Sequence, residues 1–158
     1  MAVDRKNRVV LLTGAAGGLG TVMTLALLEA GHAVAAVDRD AAALERLAAL
    51  PAVAQSRNRF LSLPAELAVE ATCADVVAAT IARFGRIEGV INNAGVGPSS
   101  IRPDSEKSIP TIEELTPDIW DRFFAINVRA PMLLTRAALA PMREQGWGRI
   151  VNNTTSFR

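Results

Sequence analysis

The sequence has no tyrosine, one cysteine and one histidine among its 158 residues. The missing tyrosine removes one of the common general acids from its catalytic repertoire. A single thiol excludes an intrachain disulfide and leaves no cysteine cluster for a metal. Cys73 shares a helical spacing with Val76, Val77, Thr80, Ile81 and Phe84, which predicts a core position for it. His32 follows Gly31 in a helix-to-strand turn and is expected in solvent, neither ligand nor base. Neither sign of charge dominates: 17 Lys and Arg face 16 Asp and Glu, a net charge of +1. That balance gives no electrostatic reason to expect nucleic acid or an anionic membrane as partner. No stretch approaches 18 uninterrupted apolar residues, so no membrane-spanning helix is expected. Arg5, Lys6 and Arg8 ahead of an apolar run look superficially like a signal peptide, but the run breaks at Thr13 and Gly14. The expected location is cytoplasmic.

Half the residues are hydrophobic and 21% are charged, the make-up of an ordinary globular protein, and the length is that of one domain spanning residues 1–158. The stretch that organises the chain is TGAAGGLG at residues 13–20. It follows a strand-forming run at residues 8–12 and opens a helix whose apolar stripe is read as Leu19, Val22, Met23, Ala26, Leu27 and Ala30. A strand, a glycine turn and a helix N-terminus together make a phosphate site. The first-turn N–H groups have no helical partner, the macrodipole places partial positive charge there, and glycine lets the backbone approach the ligand.

Further strands are predicted at residues 33–37, 59–63, 87–91 and 149–153, and helices from Asp40 to Pro51, over residues 72–84 and from Thr116 onward. Gly31, Gly85 and Gly146 end helices, Pro51 closes one, and Pro131 is expected to kink the last. That last helix should bury Ile119, Trp120, Phe123 and Phe124, then Leu133, Leu134, Ala137 and Ala138. Strands alternating with helices, apolar throughout, indicate a parallel α/β sheet covered on both faces. Residues 96–115, with prolines at 98, 103 and 110, read as a long loop. Asp38 ends the second strand 18 residues past Gly20, where an acid in a dinucleotide fold accepts from the ribose hydroxyls; the alternative is a helix N-terminal acid.

The spacing Gly14-x-x-x-Gly18-x-Gly20 after Thr13 resembles the fingerprint of the short-chain dehydrogenase/reductase family. So do NNAG at residues 92–95, Asn127 within residues 125–128, and GRIVN at residues 148–152. The resemblance implies a Rossmann-type, doubly wound parallel sheet of order 3-2-1-4-5, truncated after the fifth strand. It also implies NAD(H) or NADP(H) as cofactor and a small alcohol or carbonyl compound as substrate. On this resemblance Gly14, Gly18 and Gly20 shape the pyrophosphate turn, with Leu19 at its rim. Thr13 ties the turn to NNAG, and Asn92, Ala94 and Gly95 line the nicotinamide-side ribose. A plain strand-ending turn is the competing reading of NNAG. Asp38 and the uncharged Gly17 favour NAD over NADP, while Arg39 pulls the other way. Glu66 and Leu67 stand where relatives often carry an Asp at the adenine site.

The same resemblance implies a Ser, Tyr, Lys and Asn acting on the substrate. Asn127 matches the Asn, and Thr155 or Ser156 takes the Ser position. The Tyr and Lys are expected beyond this chain, which alone should be nearly inactive. The fifth strand is then an open edge, and the helix from Pro117 loses part of its cover. Relatives commonly pair through that helix, which implies a homo-oligomer. The alternative is a non-catalytic dinucleotide-binding or interaction module.

Overall fold

The computed structural model describes residues 7–102, 104, 105 and 107–154. Its centre is β1 (Val9–Thr13), in which all five residues are buried. Successive side chains of a strand point to opposite faces of the sheet, so a strand buried at every position needs cover on both sides. That cover is present. Leu11 packs with Ala35, Val37, Val90, Cys73, Val77 and Leu134 on one face. Leu12 packs with Val34, Ala36, Leu28, Leu44 and Val53 on the other. β2 (Ala33–Asp38) is equally enclosed, while β3 (Phe60–Pro64) at one edge is not. With β4 (Gly89–Asn92) and β5 (Arg149–Asn152) they form one five-stranded sheet of order β3-β2-β1-β4-β5. Every pairing is parallel. This is the doubly wound arrangement expected from the sequence.

The first face is covered by α4 (Glu70–Phe84) and α6 (Ala130–Glu144), the second by α1 (Gly18–Glu29), α2 (Ala41–Ala49) and α3 (Pro51–Ala54). The rotation of α1 corrects the sequence reading. Its buried residues are Gly20, Thr24 and Leu28, whereas Leu19 and Val22 are 52% and 62% exposed and Ala26 and Ala30 also face outward. The helix is apolar almost all round, so periodicity could not choose a face. Close packing of Gly20 against the turn chooses it instead: a Cβ there would lie 2.0 Å from the Gly14 carbonyl oxygen. Pro51 does more than close α2, because it is the first residue of α3. Gly31, Gly85 and Gly146 end their helices at φ of 89°, 78° and 72°. His32 is half-buried and accepts from the Arg8 N–H at 3.3 Å, so it is not the free loop residue expected. Cys73 is buried, as read.

The last helical stretch begins at α5 (Pro117–Phe124), with Thr116 as N-cap accepting from the Ile119 N–H at 3.4 Å. Where a kink was expected at Pro131, residues Ala125–Arg129 form a π-turn that runs straight into α6. Proline has no N–H for the carbonyl four residues back, and a wider turn absorbs that misfit. The whole stretch, Pro117–Glu144, is 28 residues and apolar enough by length and composition to cross a membrane. Here it packs on the sheet and α4 through Ala130, Leu133, Leu134, Ala138 and Met142. The face read as buried on α5 is not: Trp120 and Phe124 are about half exposed, their rings 5.1 Å apart. Val128 and Met132 continue this exposed apolar stripe at four-residue spacing. On β5, Val151 is half exposed, and among the described residues no strand pairs with its outer edge.

Candidate functional site

The carboxyl ends of the strands converge on the turn between β1 and α1. Gly14 adopts φ +62°, and a Cβ there would come within 2.9 Å of the Ala94 Cα, so both conformation and space require glycine. Gly17 is the N-cap of α1. It offers no side chain, and no acid stands in the first turn. The first helical bond runs from the Thr21 N–H to the Gly17 carbonyl at 2.8 Å. The N–H groups of Gly18, Leu19 and Gly20 therefore have no partner within the helix. A Cβ on Gly18 would meet nothing within 4 Å. The helix start is a bare, positively polarised cradle open to a cavity of about 430 Å³.

The ends of all five strands wall that cavity. Asp38 stands beyond the turn, at the end of β2. Its Oδ2 accepts from the Ala16 N–H at 3.0 Å and its Oδ1 from the Asp40 N–H at 3.2 Å. The cap of α2 is Asp40, which accepts from the Ala43 N–H at 2.9 Å, so Asp38 is free of that structural duty. Arg39 is exposed on the rim beside it. Ala65, Glu66 and Leu67 close the β3 end. Glu66 accepts from the Ala68 N–H at 3.1 Å and approaches Arg122 at 3.9 Å.

On the other side of the turn, Thr13 is buried, and its hydroxyl oxygen accepts from the N–H groups of Asn93 and Ala94, each at 3.0 Å. The hydroxyl donates to the Ile91 carbonyl at 3.3 Å. One side chain thus fixes the NNAG segment to the glycine turn, as expected. Ala94 and Gly95 line the cavity beside Gly14. Asn92 does not. It is buried, donates to Asn152 Oδ1 at 2.8 Å, and borders a second, adjoining cavity of about 680 Å³.

Asn127 sits in the π-turn at the mouth of the second cavity. Its Oδ1 accepts from the Val96 N–H and its Nδ2 donates to the Val96 carbonyl, both at 2.9 Å. This two-point clamp holds the chain after NNAG where the cavities meet. Val128, Pro131, Met132 and Thr135 of the same helical stretch form a wall that is largely apolar and carries no charge. Thr155 and Ser156 lie outside the described residues. Two residues were missed by the sequence reading. Asn93 donates to the Thr13 and Gly14 carbonyls at 3.0 and 3.2 Å. Asn153 donates to Asn93 Oδ1 at 3.0 Å and lines both cavities. Asn93 lay inside a quoted motif, but Asn153 carried no signal of its own. Among the described residues no group of three His, Cys, Asp or Glu side chains could hold a metal.

A protein-family model described as short chain dehydrogenase matches residues 8–157. The chain is 34% identical to "Short chain dehydrogenase ausX" of Aspergillus calidoustus over 93% of this chain and 51% of that protein. It is 35% identical to the levodione reductase of Leifsonia aquatica over 94% and 52%. Among solved structures, NAD+-bound xylitol dehydrogenase superposes with a TM-score of 0.79 at 28% identity, covering 95% of this chain and 54% of that one. A metagenomic short-chain oxidoreductase in complex with NADP gives 0.82 at 26% identity, covering 96% and 64%. The chain spans about half the length of the curated relatives it matches.

Proposed function

Because the chain belongs to the short-chain dehydrogenase family, an oxidoreductase family, we propose that it is the cofactor-binding portion of an enzyme that moves a hydride between NAD(H) and a small alcohol or carbonyl compound. The observation that carries this reading is the cavity along the strand ends, with the unpartnered N–H groups of Gly18, Leu19 and Gly20 at its middle. The residues fit a dinucleotide. A diphosphate needs donors and a close approach, and this helix start supplies both without a competing side chain. The nicotinamide, when bound, supplies the hydride acceptor or donor.

The chain's own residues do the rest. Asp38 accepts from the adenosine ribose hydroxyls through lone pairs not used by Ala16 and Asp40. A carboxylate there repels a 2′-phosphate, and like charges so placed cost several kcal/mol. Arg39 reduces that repulsion in part, and the balance favours NAD over NADP. Glu66 and Leu67 border the adenine end. Asn127 holds the Val96 backbone, which keeps Ala94 and Gly95 against the nicotinamide-side ribose. Its remaining Nδ2 hydrogen supports the proton relay. Thr155 or Ser156 supplies a hydroxyl to the substrate oxygen. The chain has no tyrosine, so the general acid–base of this reaction is assigned to a residue outside it. A cytoplasmic enzyme that assembles as a homo-oligomer completes the reading.

Fluorescence titration of the chain with NADH and NADPH tests it. NADH should bind more tightly, and Asp38→Ala should narrow the difference. Equal affinities would remove the NAD preference, and binding of neither would remove the dinucleotide reading.

A further inference from the structure

Among the described residues, Asn153 is the one on the β5 side that borders both cavities. Its amide orientation is dictated from the far side of the site. The Thr13 and Gly14 carbonyls can only accept, so Asn93 must turn its Nδ2 toward them, at 3.0 and 3.2 Å. Asn93 Oδ1 is thereby turned the other way and can only accept. Asn153 must then present its own Nδ2, which it does at 3.0 Å. Its backbone N–H is held as well, donating to the Asn92 carbonyl at 2.9 Å. The polarity of the glycine turn is thus relayed through two amides to a fixed orientation at the junction of the cavities. The Oδ1 of Asn153 is left over. Among the described residues no donor reaches it.

Position gives this acceptor a use. Along the strand ends the cavity passes Asp38 on β2, Gly14 after β1, Ala94 after β4 and Asn153 after β5, in the order of the sheet. From β2 to β5 is three strand spacings, about 14 Å. A dinucleotide with its adenosine ribose on Asp38 and its diphosphate on the α1 start therefore has its other half beside Asn153. That half carries hydrogen-bond donors, a carboxamide N–H2 and two ribose hydroxyls.

We propose that Asn153 is a binding residue for the nicotinamide half of the cofactor, accepting a hydrogen bond through Oδ1 in an orientation set by Asn93. This rests on the dinucleotide reading of the cavity and adds a contact to it. Asn153 then acts on the nicotinamide half alone and leaves the adenosine half untouched.

The test compares Asn153→Ala and Asn153→Ser with the unchanged chain, measuring affinity for NADH by its fluorescence and for ADP by calorimetry. ADP contains the adenosine and diphosphate without the nicotinamide half. Asn153→Ala should weaken NADH about five- to tenfold, the loss of one net hydrogen bond, and leave ADP within twofold. Asn153→Ser keeps an acceptor and should recover part of the loss. ADP binding reports in the same samples that the variants are folded. Equal loss for NADH and ADP, or no loss for NADH, would overturn the assignment while the dinucleotide reading stands. Failure of the unchanged chain to bind either ligand would overturn both.

Discussion

Gly20 and Gly14, six residues apart, touch so closely that the first helix can sit in only one rotation. A Cβ on Gly20 would lie 2.0 Å from the Gly14 carbonyl oxygen and 2.8 Å from the Ala15 Cα. Both obstacles are backbone, so neither can swing aside. Gly20→Ala should therefore force the helix off the sheet and destabilise the fold by at least the ~1–3 kcal/mol typical of overpacking. Gly18→Ala meets nothing within 4 Å and stands in a helix, where alanine is favoured by up to ~1 kcal/mol. Urea unfolding should show Gly20→Ala falling and Gly18→Ala holding or rising. NADH titration should still show Gly18→Ala weakened, because its methyl enters the diphosphate cradle.

Thr13→Val keeps the shape of a buried side chain and deletes the oxygen that receives the Asn93 and Ala94 N–H groups. A buried donor left without a partner costs about 1–3 kcal/mol. The valine variant should lose stability on that scale, and Thr13→Ser should lose clearly less. Equal unfolding midpoints for the two variants would mean that the hydroxyl is not what joins the turn to NNAG.

Arg102 organises the loop between β4 and α5. Its NH1 donates to Glu114 Oε1 at 3.0 Å, its NH2 donates to the Ser108 carbonyl at 2.6 Å, and its Nε lies 3.2 Å from Asp104. Glu114 in turn accepts from the Thr111 N–H at 2.7 Å. Those bonds hold its carboxyl below the usual range, the Thr111 backbone bond first and the Arg102 charge after it. A depressed carboxyl pKa means that the contribution is present above the ordinary carboxylate value and lost as pH falls through the folded one. Amide protection factors, taken relative to the intrinsic exchange rate at each pH, should fall in this loop in Arg102→Ala, and in the unchanged chain under acid, with the sheet's protection unaltered.

Burial pushes the Cys73 thiol up, the charge of Glu70 adds to this, and Arg129 opposes it. The folded chain should resist a thiol-specific disulfide reagent at neutral pH and react when unfolded. A raised thiol pKa contributes stability that is complete below the ordinary thiol value and fades as pH climbs through the folded one. Cys73→Ala should flatten that alkaline decline. Labelling of the folded chain as fast as the unfolded one would show that the thiol is not enclosed.

Trp120, Phe124, Val128 and Met132 form an apolar stripe on the outside of the α5–α6 stretch. A chain carrying it should self-associate with rising concentration in analytical ultracentrifugation. Phe124→Glu should shift the balance to the monomer without moving the unfolding midpoint, since Phe124 is half exposed in the single chain.

What the sequence disclosed depended on whether local chemistry or tertiary packing made the decision. The turn at Gly14, the cap at Thr116 and the helix ends at Gly31, Gly85 and Gly146 follow from residue types at short range and were legible, whereas the sheet order was implied only by the family resemblance. The buried face of α1 was not, because its apolar residues surround the helix and a contact with Gly14 picks among them. Trp120 and Phe124 read as core because aromatic residues at helical spacing usually are, but spacing says nothing of what stands opposite. Pro131 announced a disturbance without telling a kink from a wider turn. Asn153 was invisible because its partner is 60 residues away and is brought near only by the β4–β5 register.

The π-turn at Ala125–Arg129 has a consequence for how this segment tolerates length changes. It carries one residue more than a regular helix needs to join α5 to α6, and that residue's worth of rotation is what aims Asn127 at Val96. Removing a single residue there would tighten the turn against Pro131, which still lacks the N–H of a regular helix, and rotate α5 relative to α6. The amide would swing about 100° around the axis, one residue's step in a 3.6-residue turn. A shortened chain would thus lose its clamp, so at this point the spacing of the backbone, more than any side chain, encodes the site.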